Sequence, residues 1–452
     1  MLLARALFFL KKLSMSNPKS FFIKSFGCQM NVYDSDKMKD IFISHGLSPT
    51  DDYQAADYIV LNTCHIREKA TEKTYSDLGR VHKKGKIDHK IIVAGCVAQA
   101  EGELIQQRAP YVDLVLGPQS LQLLDTYLSG PNPYLKTITE FDAIDKFDTL
   151  KRFKTNNHSK SSFVTIQEGC DKFCTFCVVP YTRGSEYSRS IPEIIEEIKK
   201  LIDQGVIEVT LLGQNVNAYH GPDETGKERG LSYLINKISE LDSIKRIAYS
   251  TSHPNNMTDD LIELHGNNTK LMSCLHLPVQ SGSNKILKLM NRKHTRELYF
   301  EIIEKLRKHK TNIALSSDFI VGFPGEDEKD FADTINLINQ VGFMNSFSFK
   351  YSPRPGTPAA DKKQLPLKVQ EDRLKIMQTL LNQQEIDFNK KFLSKRVEVL
   401  INSSGKYKGQ VKGKSEFNQS VAILGNPNII GNIVPVQITD ISVHSLIGKA
   451  EI

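Results

Sequence analysis

The sequence predicts a multidomain α/β protein with an N-terminal α/β domain built on a parallel sheet, a partial (β/α)6 barrel and a small C-terminal β-barrel of the oligonucleotide-binding type. Three observations predict this fold class. A chain of 452 residues is too long for a single hydrophobic core. Strand and helix patterns alternate through residues 19–386, which is typical of parallel sheets covered by helices. From residue 389 the pattern changes to short strands separated by Gly, Asn and Ser turns.

The N-terminal domain is expected to span residues 19–135. Its short apolar runs are bounded by Gly, Asn or Pro and alternate with helical patterns, as in a small parallel sheet. The predicted strands are Phe21–Ser25, Tyr58–Asn62, Ile91–Ala94 and Leu114–Leu116, and the helical patterns include Asp34–His45 and Arg67–Val81.

Residues 1–18 are interpreted as an N-terminal extension. Their apolar run is short, contains Arg5 and is not followed by a small-residue cleavage site, so an alternative start at Met15 is favoured over a signal peptide. No stretch approaches the roughly 20 apolar residues that a membrane span needs. The seven cysteines are odd in number and scattered, unlike a secreted disulfide framework. We therefore expect a cytoplasmic protein without a membrane segment.

A polar stretch at residues 136–160 is expected to be a linker to a core at residues 161–386. Strand and helix patterns recur there in about six units, fewer than the eight of a full barrel of about 250 residues. In such barrels the loops that follow the strands carry the function. The predicted strands are Phe163–Gln167, Ile207–Leu212, Ile244–Ser250, Ile313–Val321 and Ser346–Tyr351, and the predicted helices are Ile191–Gln204, Leu231–Leu241, Arg296–His309 and Asp327–Gln340.

The C-terminal domain, residues 389–452, is basic. Between residues 388 and 452 there are nine Lys or Arg residues and four Asp or Glu residues, in a chain whose formal net charge is +7. A basic small barrel favours a polyanionic partner, although lysines also serve solubility alone. The predicted strands are Val397–Ile401, Tyr407–Val411, Val421–Leu424 and Val434–Ile438, and the candidate RNA contacts are Lys406, Lys408, Lys412 and Lys414, with Tyr407 and Phe417 interleaved.

Cys170, Cys174 and Cys177 form a CxxxCxxC motif just after the first predicted strand of the core. Three closely spaced thiolates can bind three irons of a 4Fe–4S cluster and leave the fourth iron without a protein ligand. The amino and carboxylate groups of S-adenosylmethionine can chelate that iron. A structural zinc ion is the alternative, but it needs four protein ligands. No further Cys or His follows Cys177 closely, so the motif predicts the cluster.

A second set of cysteines, Cys28, Cys64 and Cys96, occupies equivalent positions in the N-terminal domain, each shortly after a predicted strand. The ends of parallel strands lie along one edge of a sheet, so the three thiols are expected to converge. A single strand-end cysteine is more often a small buried apolar residue. Three at equivalent positions favour a second cluster. Cys274 lies alone in an apolar run and is interpreted as core packing.

The cysteine loop on a six-unit strand–helix chain resembles the radical-SAM superfamily. From about Lys24 to the C-terminus the chain resembles the methylthiotransferases, which join a three-cysteine N-terminal domain, a radical-SAM core and a TRAM barrel. One departure is His65, where relatives often carry a small residue, but Cys64 beside it is intact. The segments closest to the tRNA-2-methylthio-N6-dimethylallyladenosine synthases are Ser25–Asn31, Asn62–Ala70, Gly213–Tyr219, Thr251–Pro254, His276–Gly282 and Tyr351–Pro358.

The resemblance implies two molecules of S-adenosylmethionine and two 4Fe–4S clusters. One molecule donates a methyl group to sulfur at the cluster held by Cys28, Cys64 and Cys96, and the other is cleaved at the cluster held by Cys170, Cys174 and Cys177. The resulting radical activates C2 of the adenine ring before methylthio transfer. The residues expected to contact S-adenosylmethionine are Gly213, Gln214, Asn215, Ser252 and Gln280, although each could instead order a loop. Arg183 is either a cation that contacts the ligands of a cluster from outside or an ordinary ion-pair partner.

The implied substrate is an unstacked, isopentenylated adenosine in a tRNA anticodon loop, because chemistry on a base requires it to leave the stack. The implied partners are this tRNA and an electron donor such as flavodoxin or ferredoxin, and the enzyme is expected to be a monomer. Two sister activities stay open, on threonylcarbamoyl-adenosine in tRNA or on an aspartate of a ribosomal protein. An RNA-binding scaffold with structural clusters is a further alternative, which cleavage of S-adenosylmethionine would exclude.

Overall fold

The structure is a computed structural model that describes residues 19–65, 70–130, 136–155 and 159–451. The extension predicted at residues 1–18 therefore lies outside the described residues, as does the predicted start of the second helix at Arg67. The chain forms two compact units, Met1–Asn156 with Tyr181–Gly184 and Asn157–Pro180 with Ser185–Ile452. Within the described ranges, no helix is long and apolar enough to cross a membrane.

The first unit is built on a six-stranded, all-parallel sheet with strand order β2-β1-β3-β4-β5-β6. Its strands are β1 (Ser20–Ser25), β2 (Ser48–Pro49), β3 (Tyr58–Thr63), β4 (Lys90–Gly95), β5 (Leu114–Leu116) and β6 (Thr137–Ile138). Its helices are α1 (Gln29–Ser44), α2 (Ala70–Lys84), α3 (Cys96–Glu101), α4 (Leu104–Arg108), α5 (Leu123–Ser129) and α6 (Ala143–Leu150).

Both faces of this sheet are buried. Val60 and Ile92 belong to one hydrophobic core, whereas their neighbours Ile59 and Ile91 belong to another. Successive strand residues point to opposite faces, so the two cores lie on the two sides of the sheet. This arrangement explains why the strands are continuous apolar runs in the sequence.

The segment predicted as a linker, residues 136–160, contains two secondary-structure elements. It contributes the edge strand β6 and helix α6, in which Phe147 and Leu150 are buried. The carboxylate of Asp142 caps this helix by accepting a hydrogen bond of 2.8 Å from the Asp145 amide. Polar residues dominate this segment in the sequence. Its few apolar residues, spaced one helical turn apart, are the only sequence sign of a helix with a buried face.

The second unit begins with six parallel strands, as predicted for a partial barrel. They form two three-stranded sheets, β7-β10-β11 and β12-β13-β14, which are joined through the parallel bridge between Ile247 and Leu271. The strands are β7 (Ser161–Thr165), β10 (Glu208–Leu212), β11 (Arg246–Ser250), β12 (Cys274–His276), β13 (Ala314–Val321) and β14 (Asn345–Lys350). Two further strands, β8 (Gln167–Glu168) and β9 (Tyr187–Ser188), pair with each other in a separate antiparallel sheet.

Helices cover one face of these strands in a large apolar core that includes Leu211, Phe319 and Phe343. Helix α7 (Val179–Arg183) carries the chain from this unit into the first. The other helices are α8 (Ile191–Ile202), α9 (Leu231–Ser239), α10 (Asp259–Asn267), α11 (Asn284–Leu289), α12 (Arg296–His309), α13 (Glu328–Val341) and α14 (Leu367–Lys390).

The C-terminal strands close a five-stranded barrel in the order β15-β16-β17-β19-β18. They are β15 (Arg396–Ser404), β16 (Gln410–Ser415), β17 (Ser420–Leu424), β18 (Ile433–Ile441) and β19 (Leu446–Ala450). The strand predicted at Tyr407–Val411 is displaced, because β16 starts only at Gln410 and residues 405–409 form a turn. The Gln410 side chain accepts a 3.0 Å hydrogen bond from the Lys406 amide and so stabilises that turn.

The small barrel packs against the N-terminal ends of the core strands. The guanidinium of Arg246, the first residue of β11, donates to the backbone oxygens of Lys414 and Glu398 at 2.9 and 2.8 Å. Phe417 is buried against Ala314 at the start of β13 and Met344 just before β14. The opposite ends of these strands, which precede the cysteine loop and the predicted cofactor residues, are therefore turned away from the small barrel.

Candidate active site

The cysteine loop follows β7 and β8, as the sequence predicts, and a distant segment fixes its shape. Thr175 donates its amide to the Met290 oxygen at 3.0 Å and its hydroxyl to the Leu289 oxygen at 2.9 Å. The side-chain amide of Asn291 donates from Nδ2 to the backbone oxygen of Phe173 at 2.9 Å. These bonds hold the loop against the C-terminal end of helix α11, so the three cysteine positions are fixed by tertiary contacts.

Burial governs the protonation of these cysteines. It raises the pKa of Cys170 to about 11 and that of Cys177 to about 12. Cys174 is buried, and its sulfur accepts a hydrogen bond of 3.6 Å from Nη1 of Arg292. Arg292 is itself buried and also donates to the Pro278 oxygen at 2.6 Å. Thiols of this kind become thiolates when a metal replaces the proton, and Arg292 supplies a cation for the charge that results.

The three predicted residues after β10 lie beside the cysteine loop. Gln214 accepts a hydrogen bond from the Gly169 amide at 2.5 Å, and the Asn215 amide donates to Oε1 of Gln167 at 3.0 Å. A Cβ on Gly213 would stand 2.6 Å from the same Gln167 oxygen, so only glycine allows this approach. Asn215 is buried, and its Oδ1 has no hydrogen-bond partner among the described residues.

Ser252 and Gln280 lie at the corresponding ends of the next strands. Ser252 is buried two residues beyond β11, and its hydroxyl has no partner in the described part of the chain. Gln280 lies beyond β12 with φ of 73°, and it pairs with β13 by donating its amide to the Asp318 oxygen at 2.9 Å. The structure thus places all five predicted residues at the carboxyl ends of the barrel strands. Buried polar atoms without partners at this edge are available to a bound ligand.

A buried histidine pair at the same edge is not predicted from the sequence. The rings of His253 and His294 meet edge to face with centroids 5.4 Å apart. Burial and the nearby Arg292 lower the pKa of His253 to about 2 and that of His294 to about 3. Both rings are therefore neutral at physiological pH. His294 and Arg292 occupy a turn after helix α11, and nothing in the local sequence distinguishes this turn from a solvated basic one.

The second set of cysteines lies at adjoining strand ends of the first unit. The last residues of three neighbouring strands are aligned, with Ser25 beside Asn62 and Asn62 beside Ala94. Cys28, Cys64 and Cys96 follow these strand ends. Gly27 touches Cys64 so closely that a Cβ there would overlap its Cβ and Sγ atoms. A hydrogen bond from Cys64 contributes most to lowering the pKa of Cys28 to about 6.

Family models match three parts of the chain. The radical SAM superfamily model matches residues 164–338, the model of uncharacterized protein family UPF0004 matches residues 20–117, and the TRAM domain model matches residues 390–450. The two matches that flank the core contain the second cysteine set and the closed barrel. Their order along the chain is the one that the sequence predicts.

Curated relatives match over almost the entire chain. The tRNA-2-methylthio-N(6)-dimethylallyladenosine synthase of Rickettsia bellii (strain RML369-C) is 50% identical over 443 residues, which cover 95% of this chain and 99% of the relative. The protein of the same name from Orientia tsutsugamushi (strain Ikeda) is 51% identical over 444 residues, covering 95% and 98%. The chain belongs to this synthase family. It is therefore an enzyme, a radical-SAM tRNA methylthiotransferase, as the sequence predicts.

Solved structures agree with the fold of this synthase. Two structures of the radical S-adenosylmethionine methyltransferase TsrM from Kitasatospora setae superpose with TM-scores of 0.56 and 0.57. Sequence identity is 12% and 11%, and the superpositions cover 76% of this chain in both cases and 77% and 75% of the other chains. At this identity the likeness establishes the shared architecture alone.

The donor atoms of the synthase fit iron–sulfur clusters. Each site offers three thiols that are at least partly buried, and the core site adds unpartnered polar atoms where S-adenosylmethionine would bind. In residues 19–65, 70–130, 136–155 and 159–451, no three His, Cys, Asp or Glu side chains are arranged around a single metal ion. A 4Fe–4S cluster does not require such an arrangement, because its thiolates bind different irons.

The predicted RNA-contacting lysines of the synthase fall into two groups. Lys406, Lys408 and Lys412 are exposed on the small barrel, and Lys406 stands 5.6 Å from the ring centre of the exposed Tyr407. Lys414 differs, since its ammonium donates to the Asn418 oxygen and the Ser420 hydroxyl at 3.1 and 3.2 Å. Burial lowers the pKa of Lys414, and Phe417 is buried against the core. Both residues serve the contact between the small barrel and the core.

Proposed function

We propose that this synthase transfers a methylthio group to C2 of N6-(dimethylallyl)adenosine next to the anticodon of tRNA. The observation that carries the proposal is the presence of two separate three-cysteine sites, one in each compact unit, in a chain of this family. A single cluster would suffice for radical generation. A second site with three cysteines can hold another cluster, which would supply the sulfur that the product gains.

In the core, we assign the first cluster to Cys170, Cys174 and Cys177. When bound there, a 4Fe–4S cluster with S-adenosylmethionine on its open iron supplies a 5′-deoxyadenosyl radical. Gly213, the neighbouring Gln214 and Asn215, and the strand-end residues Ser252 and Gln280 hold the cofactor's polar groups. The neutral pair His253 and His294 adds no charge of its own beside Arg292.

In the first unit, we assign the second cluster to Cys28, Cys64 and Cys96. The fit rests on the aligned strand ends and on the contact between Gly27 and Cys64. A cluster bound at this site supplies the sulfur that is methylated and transferred. The lowered pKa of Cys28 supports this assignment, because iron binds the thiolate form.

The substrate base is proposed to rest on strand β14. Phe347 and Phe349 are 55% and 46% exposed, and they lie beside Asp318 and Ile320 in the parallel register with β13. They therefore share the sheet face opposite Phe319 and Val321, which pack under the helices. Exposed aromatic rings in a row are platforms for unstacked bases. Lys406, Lys408 and Lys412 provide phosphate contacts on the small barrel.

The remaining partners are proposed on chemical grounds. Reductive cleavage of S-adenosylmethionine consumes one electron per event, so a low-potential donor such as flavodoxin or ferredoxin is required. Such donors and tRNA are found together in the cytoplasm, where we place the enzyme. A monomer suffices, because each unit contributes its own cysteine set.

The decisive experiment compares three full-length proteins reconstituted anaerobically with iron and sulfide. They are the wild type, Cys170→Ala/Cys174→Ala/Cys177→Ala and Cys28→Ala/Cys64→Ala/Cys96→Ala. Each triple variant should keep about half of the wild-type iron, since each retains one three-thiolate site. With S-adenosylmethionine, reductant and isopentenylated tRNA, only the wild type should yield the methylthio product by nucleoside mass spectrometry. The second variant should still form 5′-deoxyadenosine.

Other outcomes have distinct meanings. Loss of all iron in either triple variant would contradict two independent clusters. Formation of 5′-deoxyadenosine by the wild type without modification of this tRNA would contradict the substrate. The same assay with threonylcarbamoylated tRNA or ribosomal proteins would then identify a sister activity.

A further inference from the structure

Three charged side chains form a buried group in the first unit. Nζ of Lys146 lies 3.0 Å from Oδ1 of Asp34, and Nη2 of Arg183 lies 2.8 Å from Oδ2 of the same carboxylate. The side chains of Lys146, Asp34 and Arg183 are 0%, 1% and 3% exposed. Two buried cations thus contact the same carboxylate.

Arg183 also extends toward the second cysteine set. Its Nη2 atom also donates to Oδ1 of Asn31 at 3.2 Å, and the same oxygen lies 3.7 Å from Sγ of Cys28. Burial raises the pKa of Cys96, and the charge of the Arg183 guanidinium and a hydrogen bond from it oppose this rise. Arg183 therefore lies beside Cys96 and is linked to Cys28 through Asn31.

A buried guanidinium in this position suits a ligand set that becomes negatively charged when it holds metal. Three thiolates on an oxidised 4Fe–4S cluster leave one negative charge, and burying that charge without a neighbouring cation would cost several kcal/mol.

We propose that Arg183 is a positioning residue for the cluster at Cys28, Cys64 and Cys96, where its buried charge raises the reduction potential and its hydrogen bond orients the Cys96 ligand. The inference rests on the proposed function, which assigns a cluster to these cysteines. Arg183 follows Cys177 closely in the sequence but belongs to the first unit. The segment after one cysteine set thereby supplies the cation for the other.

The test uses the full chain with Cys170→Ala/Cys174→Ala/Cys177→Ala, so that only the second site binds iron. In this background Arg183→Gln, Arg183→Lys and Asp34→Asn are compared by iron content, electron paramagnetic resonance and redox titration. The matched control is the double variant Asp34→Asn/Lys146→Met. It removes one anion and one cation near the same site, and so leaves the net charge unchanged.

We expect Arg183→Gln to lower the reduction potential by about 59 mV, a tenfold change in a one-electron equilibrium. Asp34→Asn should raise it, the double variant should leave it close to the parent, and Arg183→Lys should restore the potential with an altered resonance spectrum. Asp34→Asn should shift the reduction potential in the opposite direction, so this variant tests the proposal if Arg183→Gln does not fold.

Equal potentials in the folded variants, or shifts of the same sign in Arg183→Gln and Asp34→Asn, would overturn the inference and leave Arg183 a structural ion-pair partner. Absence of a cluster from the parent background would instead refute the proposed function at this site. The two failures are therefore distinguishable.

Discussion

Arg292 and Cys174 are 118 residues apart in the sequence, so their hydrogen bond becomes visible only in the folded structure. The two sets of three cysteines are predictable as candidate cluster ligands, because thiols at regular spacing or at equivalent strand ends are rare without a metal. Arg292, His253 and His294 are not, because their function depends on burial beside a distant loop. Arg183 was predictable as a cation, but the sequence could not tell which cysteine set it serves.

Replacing Arg292 by Gln should change the electronic properties of the core cluster. The variant loses the charged donor to Cys174, and hydrogen bonds and positive charge at cluster sulfurs favour the reduced state. We expect unchanged iron content, a lower reduction potential and roughly tenfold slower formation of 5′-deoxyadenosine at limiting reductant. The measurement uses the Cys28→Ala/Cys64→Ala/Cys96→Ala background. Arg296→Gln, which loses an ion pair to Asp333, is the control and should show neither change.

His265 should make the core sensitive to acid. Burial lowers its pKa from 6.5 to about 3, and its Nε2 atom lies 2.6 Å from the hydroxyl of Tyr249. The unfolded chain therefore binds one more proton than the folded chain between these two pH values, and stability is lost as the pH falls below 6.5. Between pH 6.5 and pH 5, protonation of this histidine in the unfolded chain should lower the free energy of unfolding by about 2 kcal/mol.

The check is urea unfolding of the metal-free chain at pH 7 and pH 5. His265→Gln should lose about 2 kcal/mol less than the wild type over this interval, although it starts from a lower stability. Other buried histidines are present in both proteins, so their contributions cancel. Equal losses in the two proteins would show that His265 is charged in the folded state.

At the scale of elements, prediction succeeded where a pattern is long and regular. Helix α12 has the predicted bounds, and the core strands are shifted by no more than two residues at either end. Strand β12 was missed because it is three residues long and contains His276. The strand predicted at Tyr407 was displaced because its alternation continues into a glycine-bounded turn. In each case tertiary pairing, which a local pattern does not contain, decided the boundary.

Strand β14 should determine how well the substrate base is held. Phe347→Ala/Phe349→Ala removes the exposed rings without creating a cavity, since both side chains are about half exposed. Stacking contributes about 1–3 kcal/mol per base, so we expect KM for isopentenylated tRNA to rise at least fivefold. Formation of 5′-deoxyadenosine without tRNA should stay unchanged. Ile87→Ala, at a residue 87% exposed in the first unit, is the control, and an equal effect there would refute base stacking.

The turn before strand β16 should contribute electrostatically to tRNA binding. Lys406→Gln/Lys408→Gln/Lys412→Gln should weaken binding most at low salt and reduce the slope of log affinity against log salt by about 0.7–0.9 per lost phosphate contact. Lys414→Gln should change this slope little, since its ammonium is engaged within its own hairpin. The measurement is tRNA binding over a range of salt concentrations. A larger change for Lys414→Gln than for the triple variant would place the RNA on the other side of the hairpin.

At the scale of the whole molecule, the sequence predicts three domains, whereas the core and the small barrel form one compact unit. The contacts that join them link residues that are far apart in the sequence. Arg246 and Ser273 belong to the core, and their partners Lys414 and Glu416 belong to the barrel. In this chain, a change in sequence pattern therefore does not mark the boundary of a compact unit. The barrel is fixed to the core at the end opposite the cysteine loop.

Replacing Arg246 by Met should loosen this attachment. The variant leaves the oxygens of Lys414 and Glu398 without their donors and Glu208 without its buried cation, at a cost of about 3–5 kcal/mol. We expect protease cleavage between α14 and β15 and weaker tRNA binding, with 5′-deoxyadenosine formation in the absence of tRNA retained. Arg396→Gln, which breaks an exposed pair with Glu451, should change none of these. If Arg246→Met instead abolishes cofactor cleavage together with tRNA binding, the barrel supports the core itself and is more than an RNA-binding attachment.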